Sequence, residues 1–284
     1  PGGIADITAR AVAEAMAARL GQPVVVENRP GAGSIVASQA VATARPDGHT
    51  LLLMSNGHAV SVGLMRKLPY DTQKDFAPIS TLGSFDLGLF APASSRFASL
   101  RDLLAFARAQ PGKLNVGTIA VGSTQHLAAK LFETVAGVDL LVVPYKASPA
   151  VLTALRSGEI DLAFEIVGPM LPQVQAGAVK ALAVSSDRRN PALPDVPTVQ
   201  QAGVPGYNVA SWNALAAPAG TPKDVIARLN RAAQEAIASP EVKKRLRELG
   251  VRPQAGTPAQ LEALLAAEIK RWREVIVAAK IEPE

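Results

Sequence analysis

Apolar residues recur along the chain with two alternating periods. Val12, Met16 and Leu20 are spaced four apart, one face of a helix predicted over 6–20 and stopped by Gly21. Pro23-Val-Val-Val26 predicts a short buried strand, 34–44 a helix of small residues, and Thr50–Met54 (TLLLM) the next strand. Ser99, with Asp102 three residues on, predicts a capped helix that ends at Pro111-Gly112. Strands are predicted at 114–117, 139–143, 160–164 and 180–184, with helices over 123–136 and 148–156, the second ended by Gly158. This alternation is that of open, mostly parallel sheets with helices on both faces. The last part differs: Thr221-Pro222, Ser239-Pro240 and Thr257-Pro258 each set a capping hydroxyl before a proline at the first helical position. Three helices follow, with a short strand near Val251.

One internal echo suggests how the chain is divided. Leu89-Phe-Ala-Pro-Ala93 and Leu215-Ala-Ala-Pro-Ala219 are apolar strands broken by proline, which ends pairing and stiffens the exit. They bracket a segment rich in strand–helix units and predict two strands that cross between two lobes. The chain's 284 residues are enough for two cores.

Composition narrows the chemistry. There is no cysteine, which excludes disulfides, thiolate metal sites and a cysteine nucleophile. With only three histidines, His49, His58 and His126, a metal site is not expected. Aromatics make up 4% of residues, too few for a stacking platform on single-stranded nucleic acid. The net charge of +5 is scattered. Its densest run, Lys243-Lys-Arg-Leu-Arg247, is flanked by Glu241 and Glu248 on an amphipathic helix, so it reads as a solvated face and no nucleic-acid partner is expected. No apolar run is long enough to span a membrane.

The motifs favour binding over reaction. Gly31-x-Gly33 lacks the small residue a dinucleotide fingerprint needs at Val36, so no such cofactor is expected. Gly117–Thr124 follows a strand and opens a helix as a phosphate loop does, but Ser123 stands where that loop has lysine. What survives is an anion site of glycine turn, helix N–H groups and the side chains of Ser123, Thr124 and Gln125, with a simply capped helix as the alternative. Gly2, Gly3 and Asp6 form a second glycine turn entering a helix. Ser55, Asn56 and His58 form a third polar loop, at a strand's carboxyl end, where open α/β sheets bind ligands. Glu165 ends a buried strand and reads as a recognition carboxylate, a general base or a residue emerging into solvent. No nucleophile elbow or zinc motif occurs and no catalytic residue is assigned. The alternative is a doubly wound α/β hydrolase using the same anion-binding cleft, with a nucleophile activated by His58 or His126.

The stretch Leu20-Gly-Gln-Pro-Val-Val-Val-Glu-Asn-Arg-Pro-Gly-Ala-Gly33 resembles the receptors of tripartite tricarboxylate transporters, the Bug-type solute-binding proteins. So do Pro46-Asp-Gly-His-Thr-Leu51, Lys67-Leu-Pro-Tyr-Asp71, Gly122-Ser-Thr-Gln-His-Leu-Ala128, Val143-Pro-Tyr-Lys146 and Pro191-Ala-Leu-Pro-Asp-Val-Pro-Thr198. The resemblance implies a two-lobed periplasmic-binding-protein fold of type II, with lobe 1 at 1–93 and 218–284 and lobe 2 at 94–217. It implies a monomeric periplasmic receptor without cofactor or chemistry of its own. Its lobes would close on a small carboxylate: a di- or tricarboxylate, an amino acid, or an aromatic carboxylate or amide such as a nicotinate-like compound. Delivery would be to a membrane permease, the secondary transporter. Carried over by position, Gly2, Gly3, Ser55, Asn56, His58, Gly122, Ser123, Thr124, Gln125, Glu165, Ser211 and Trp212 would line the cleft. The resemblance also implies a signal peptide and a first strand before the Pro-Gly-Gly turn, neither present here, so a longer natural chain is expected. Amino-acid-binding members tend to have aspartate at the position of Glu165, to meet the ligand's ammonium. The longer side chain reaches one methylene further.

Overall fold

A computed structural model describes residues 4–29 and 34–283. In chain order the first elements are α1 (Ile4–Leu20), α2 (Ile35–Ala42), β1 (Leu52–Ser55), α3 (Asn56–Leu64), β2 (Phe76–Pro92), α4 (Leu100–Ala109), β3 (Asn115–Ile119) and α5 (Thr124–Ala136). Then come β4 (Leu141–Tyr145), α6 (Ser148–Ser157), β5 (Leu162–Ile166), α7 (Val167–Gln175), β6 (Val179–Val184) and β7 (Ala210–Pro218). The chain ends with α8 (Lys223–Ala238), α9 (Pro240–Glu248), β8 (Val251–Pro253) and α10 (Pro258–Ala278).

Two compact units result. Unit 1 holds Pro1–Ser84, Trp212–Glu274 and Glu282–Glu284; unit 2 holds Phe85–Ser211 and Val275–Ile281. Two divisions fall within β2 and β7, nine and six residues before the boundaries expected from sequence, and Val275–Ile281, from the end of α10, joins unit 2 where the sequence reading kept it with lobe 1.

In unit 1, β1 pairs antiparallel with β7, which neighbours β2, and β8 adds to β2. Met16 and Val12 of α1 are buried, as their spacing predicts, with Met54, Leu82 and Trp272 among the other fully buried side chains. Ser239 accepts from Val242 N at 3.4 Å to open α9, and Thr257 and Gln260 form the reciprocal cap of α10, with bonds of 2.8 and 3.2 Å. Thr221 departs from expectation. Pro222 itself takes the cap position of α8, and the Thr221 hydroxyl donates to Pro218 O at 2.8 Å instead.

In unit 2 the strand order is β6-β2-β5-β3-β4. Strands β4, β3 and β5 are parallel, whereas β2 runs antiparallel to β5 and β6, so the sheet is mixed. Phe132 of α5 meets Phe164 of β5 and Tyr207 edge-on, each at 5.6 Å between ring centres. Each such pair contributes about 0.5–1.5 kcal/mol beyond its area. The Tyr207 hydroxyl donates to Ala128 O at 3.0 Å, which ties the 207 loop to α5.

Four further departures have physical causes. Residues 23–26 form no strand, and Val25 is 85% exposed. A groove of about 310 Å³ lined by Val24, Val25 and Leu51 separates this segment from the chain entering β1, so no ladder forms. The polar stretch 55–58 is not a loop, because Ser55 caps α3 and Asn56 already begins it. Strand β2 runs through 17 residues although only its end is legible, since Phe85–Pro92 are buried on both faces and show no alternation. Helix α7 escapes sequence reading because Pro169 and Pro172 interrupt its pattern.

Candidate ligand-binding site

The two units are described separately. In unit 1, β1 delivers Ser55 in an extended conformation to the start of α3. His58, at the third helical position, turns back so that Nδ1 accepts from Ser55 N at 3.0 Å. Its Nε2 lies 3.0 Å from Ser38 Oγ, whose own proton goes to Ser34 O at 2.9 Å. This assigns the proton to His58 Nε2, which donates to Ser38. Burial pushes the imidazole down to about 4, partly opposed by the Ser55 backbone. A neutral ring already protonated at Nε2 cannot take the Ser38 proton, so this serine–histidine pair is structural.

Other residues expected at the site are tied elsewhere. Asn56 Oδ1 accepts from the Trp272 indole at 2.8 Å. Asp6 Oδ1 accepts from Arg10 Nε and Asn28 Nδ2, each at 3.0 Å, while Asn28 Oδ1 accepts from Arg10 Nη2 at 2.8 Å. Gly2 and Gly3 lie outside the described residues. The Trp212 indole N–H is buried without a partner. So are both amide atoms of Asn213, which stands opposite Ser55 in the β1–β7 register. Sequence reasoning missed Asn213. The signal was one amide in an otherwise apolar run, Ser211-Trp-Asn-Ala-Leu-Ala216.

In unit 2 the carboxyl ends of β3 and β5 face the start of α5 and α6. Gly122 takes a left-handed conformation (φ 77°), which glycine adopts without a Cβ clash. This turn places Ser123 as the cap of α5: its Oγ accepts from His126 N at 3.1 Å and donates to Ile119 O at 3.1 Å. The serine hydroxyl is thereby committed to the helix, and the N–H groups of the first turn carry the anion-binding potential. His126 Nδ1 accepts from Gly122 N at 3.4 Å. Burial, aided by Lys130, pushes this ring down to about 4, which makes it a weak base.

Glu165, at the end of β5, meets Gln125 of α5: Oε2 accepts from Gln125 Nε2 at 3.3 Å and from Ile166 N at 3.1 Å. Its Oε1 has no partner although the residue is only 1% exposed. Burial raises its pKa, opposed by hydrogen bonds from Ser148 at the start of α6, Ile166 and Gln125. The Thr118 hydroxyl on β3 is likewise buried and unpartnered. Sequence reasoning passed over Thr118 and Ser148, because a hydroxyl in a strand or at a helix start reads as ordinary. Ser211, on β7, is buried. Among the described residues no cluster of three or more histidine or acidic side chains could hold a metal. No helix among them is long and apolar enough to cross a membrane.

The chain as a whole is similar to known proteins. A family model described as the tripartite tricarboxylate transporter family receptor matches residues 8–281. MatC from Rhodopseudomonas palustris, solved with bound malate, is 35% identical, with 97% of this chain and 95% of that one covered and a TM-score of 0.83. A second R. palustris protein, solved with adipate, is also 35% identical, with 98% and 94% covered and a TM-score of 0.86. The periplasmic binding protein BugD is 31% identical, with 100% and 96% covered and a TM-score of 0.85.

Proposed function

The chain belongs to the tripartite tricarboxylate transporter receptor family, and from that premise we propose that it is a monomeric periplasmic receptor for a small dicarboxylate, which it delivers to a membrane permease. The family and its solved members are solute-binding receptors, not enzymes, so the hydrolase alternative falls. The observation that carries the reading is the set of polar groups at the carboxyl ends of β3 and β5 in unit 2. The capped start of α5 offers N–H groups to a carboxylate, Gln125 there holds Glu165, whose Oε1 is unpartnered, and β3 of the same unit carries the buried, unpartnered Thr118 hydroxyl. Desolvated polar atoms without partners are costly, and a ligand that satisfies them recovers that cost on binding. Malate and adipate in two relatives support a ligand with a carboxylate at each end of a short chain.

A thermal-shift screen after refolding tests this, with malate, succinate, adipate, citrate, aspartate and nicotinate. Ligand at about 100 times its dissociation constant stabilises by about 2.7 kcal/mol, roughly 5 °C for a chain of this length. The expected result is a shift with a dicarboxylate and no product formed. Flat traces with every carboxylate would overturn the reading.

A further inference from the structure

The two oxygens of Glu165 are treated differently by the protein. Ile166 N and Gln125 Nε2 both donate to Oε2, and the Ser148 side chain also acts on the carboxyl, while Oε1 is buried with no partner at hydrogen-bond distance. An ionised carboxylate has two equivalent acceptor oxygens, whereas a protonated one has an accepting carbonyl oxygen and a donating hydroxyl. The arrangement matches the second. We infer that Glu165 meets the ligand as a neutral acid donating from Oε1, so that the protein selects carboxylates whose far end presents an oxygen acceptor over those presenting an ammonium. This rests on the receptor reading above and specifies the ligand class within it.

The surrounding charges support the inference. Among the described residues of the elements packed on β5, the titratable or charged groups are Asp86 on β2, His126, Lys130 and Glu133 on α5, and Arg156 on α6; β3 and α7 carry none. Lys130 is paired with Glu133 at 2.7 Å, Asp86 accepts from Asn190 at 2.9 Å, and Arg156 lies in the last turn of α6, at the opposite end from Ser148. His126 is neutral above about pH 4. No ion pair joins any of them to Glu165, so only the hydrogen bonds from Ser148, Ile166 and Gln125 offset a buried negative charge there, and burial raises its pKa against them. Gln125 belongs to the first turn of α5 and also holds Glu165. A ligand carboxylate seated at that helix start therefore sits close to Glu165 and adds repulsion against its ionisation.

The test is calorimetric titration of the full chain with two matched pairs, succinate against L-aspartate and adipate against L-2-aminoadipate, between pH 6 and pH 9. The wild type is compared with Glu165→Gln and Glu165→Met. The dicarboxylate of a pair is expected to bind more tightly than its amino counterpart, with affinity falling by up to about tenfold per pH unit once Glu165 ionises. Glu165→Gln, which donates at every pH, abolishes that dependence; Glu165→Met, with no donor, loses about tenfold or more in affinity. Tighter binding of the amino acid, strengthening as pH rises and lost in Glu165→Gln, would overturn the inference and leave the receptor reading intact. If no carboxylate binds, both fail together. Should the variants not fold, difference infrared spectra of wild-type protein carrying ¹³C-labelled glutamate decide the question. A carboxylic-acid carbonyl band with the dicarboxylate bound supports the inference, and only carboxylate bands would overturn it.

Discussion

At the residue scale, buried polar side chains are governed by where their protons go. His58 shows this most sharply, since one ring nitrogen accepts from Ser55 and the other donates to Ser38. Its folded pKa lies near 4, below the ordinary 6.5, so the unfolded chain binds the extra proton first. The resulting stability is complete above pH 6.5 and is lost as pH falls from there toward 4, on the order of 3 kcal/mol. Urea denaturation of wild type and His58→Asn across pH 4–7 should show a steep acid slope in the former, reduced by that amount in the latter. Equal slopes would show that His58 does not titrate as its burial implies. Ser123 teaches a related lesson. A hydroxyl at a helix entry suits ligand contact, yet it is already spent on Ile119 O and His126 N.

At the element scale, local pattern decided the helices better than the strands. The cap of α4, in which Ser99 and Asp102 exchange bonds of 2.9 and 3.2 Å, needs only residues close in sequence and was read correctly. A strand needs a neighbour to complete its hydrogen bonds. Residues 23–26 have the apolar run and lack the neighbour, so Val25 stays exposed. Val25→Lys should therefore change stability by no more than about 0.5 kcal/mol, whereas Met54→Ala in β1, 1% exposed, should cost about 2–5 kcal/mol. Chemical denaturation of the two variants measures both, and a large loss from Val25→Lys would restore the buried-strand reading.

At the scale of the whole molecule, charge is dispersed and not focused. In the basic run of α9, Arg245 pairs with Glu14 of α1 at 3.3 Å and Lys244 lies 4.0 Å from Glu248. Arg19 of α1 pairs with Glu235 of α8 at 3.5 Å. A net charge of +5 interleaved in this way makes no stripe for a phosphate backbone. Fluorescence anisotropy with labelled duplex DNA should give no saturable binding at about 0.15 M salt, where screening reaches about 8 Å. Tight binding that survives such salt would contradict the dispersed-charge reading.

The amino-acid sequence by itself determined the alternation of helices and strands, most of the helix caps, the two-unit plan and the family. All of these depend on short-range pattern or on motifs that survive intact in the chain. It also brought Gln125 and Glu165 forward as candidates, because a polar residue at a helix start or a strand end is locally conspicuous. Only the tertiary structure decided which of the candidates keep an unspent polar atom. Asn56 is engaged by Trp272, 216 residues away, and Asp6 by Asn28, whereas Glu165 Oε1 and the Trp212 indole N–H are buried without a hydrogen-bond partner, as are polar atoms of Thr118 and Asn213, which local reading had not brought forward. Hydrogen-bond satisfaction is settled by partners that folding brings together across the chain, so no local reading of residue type can supply it.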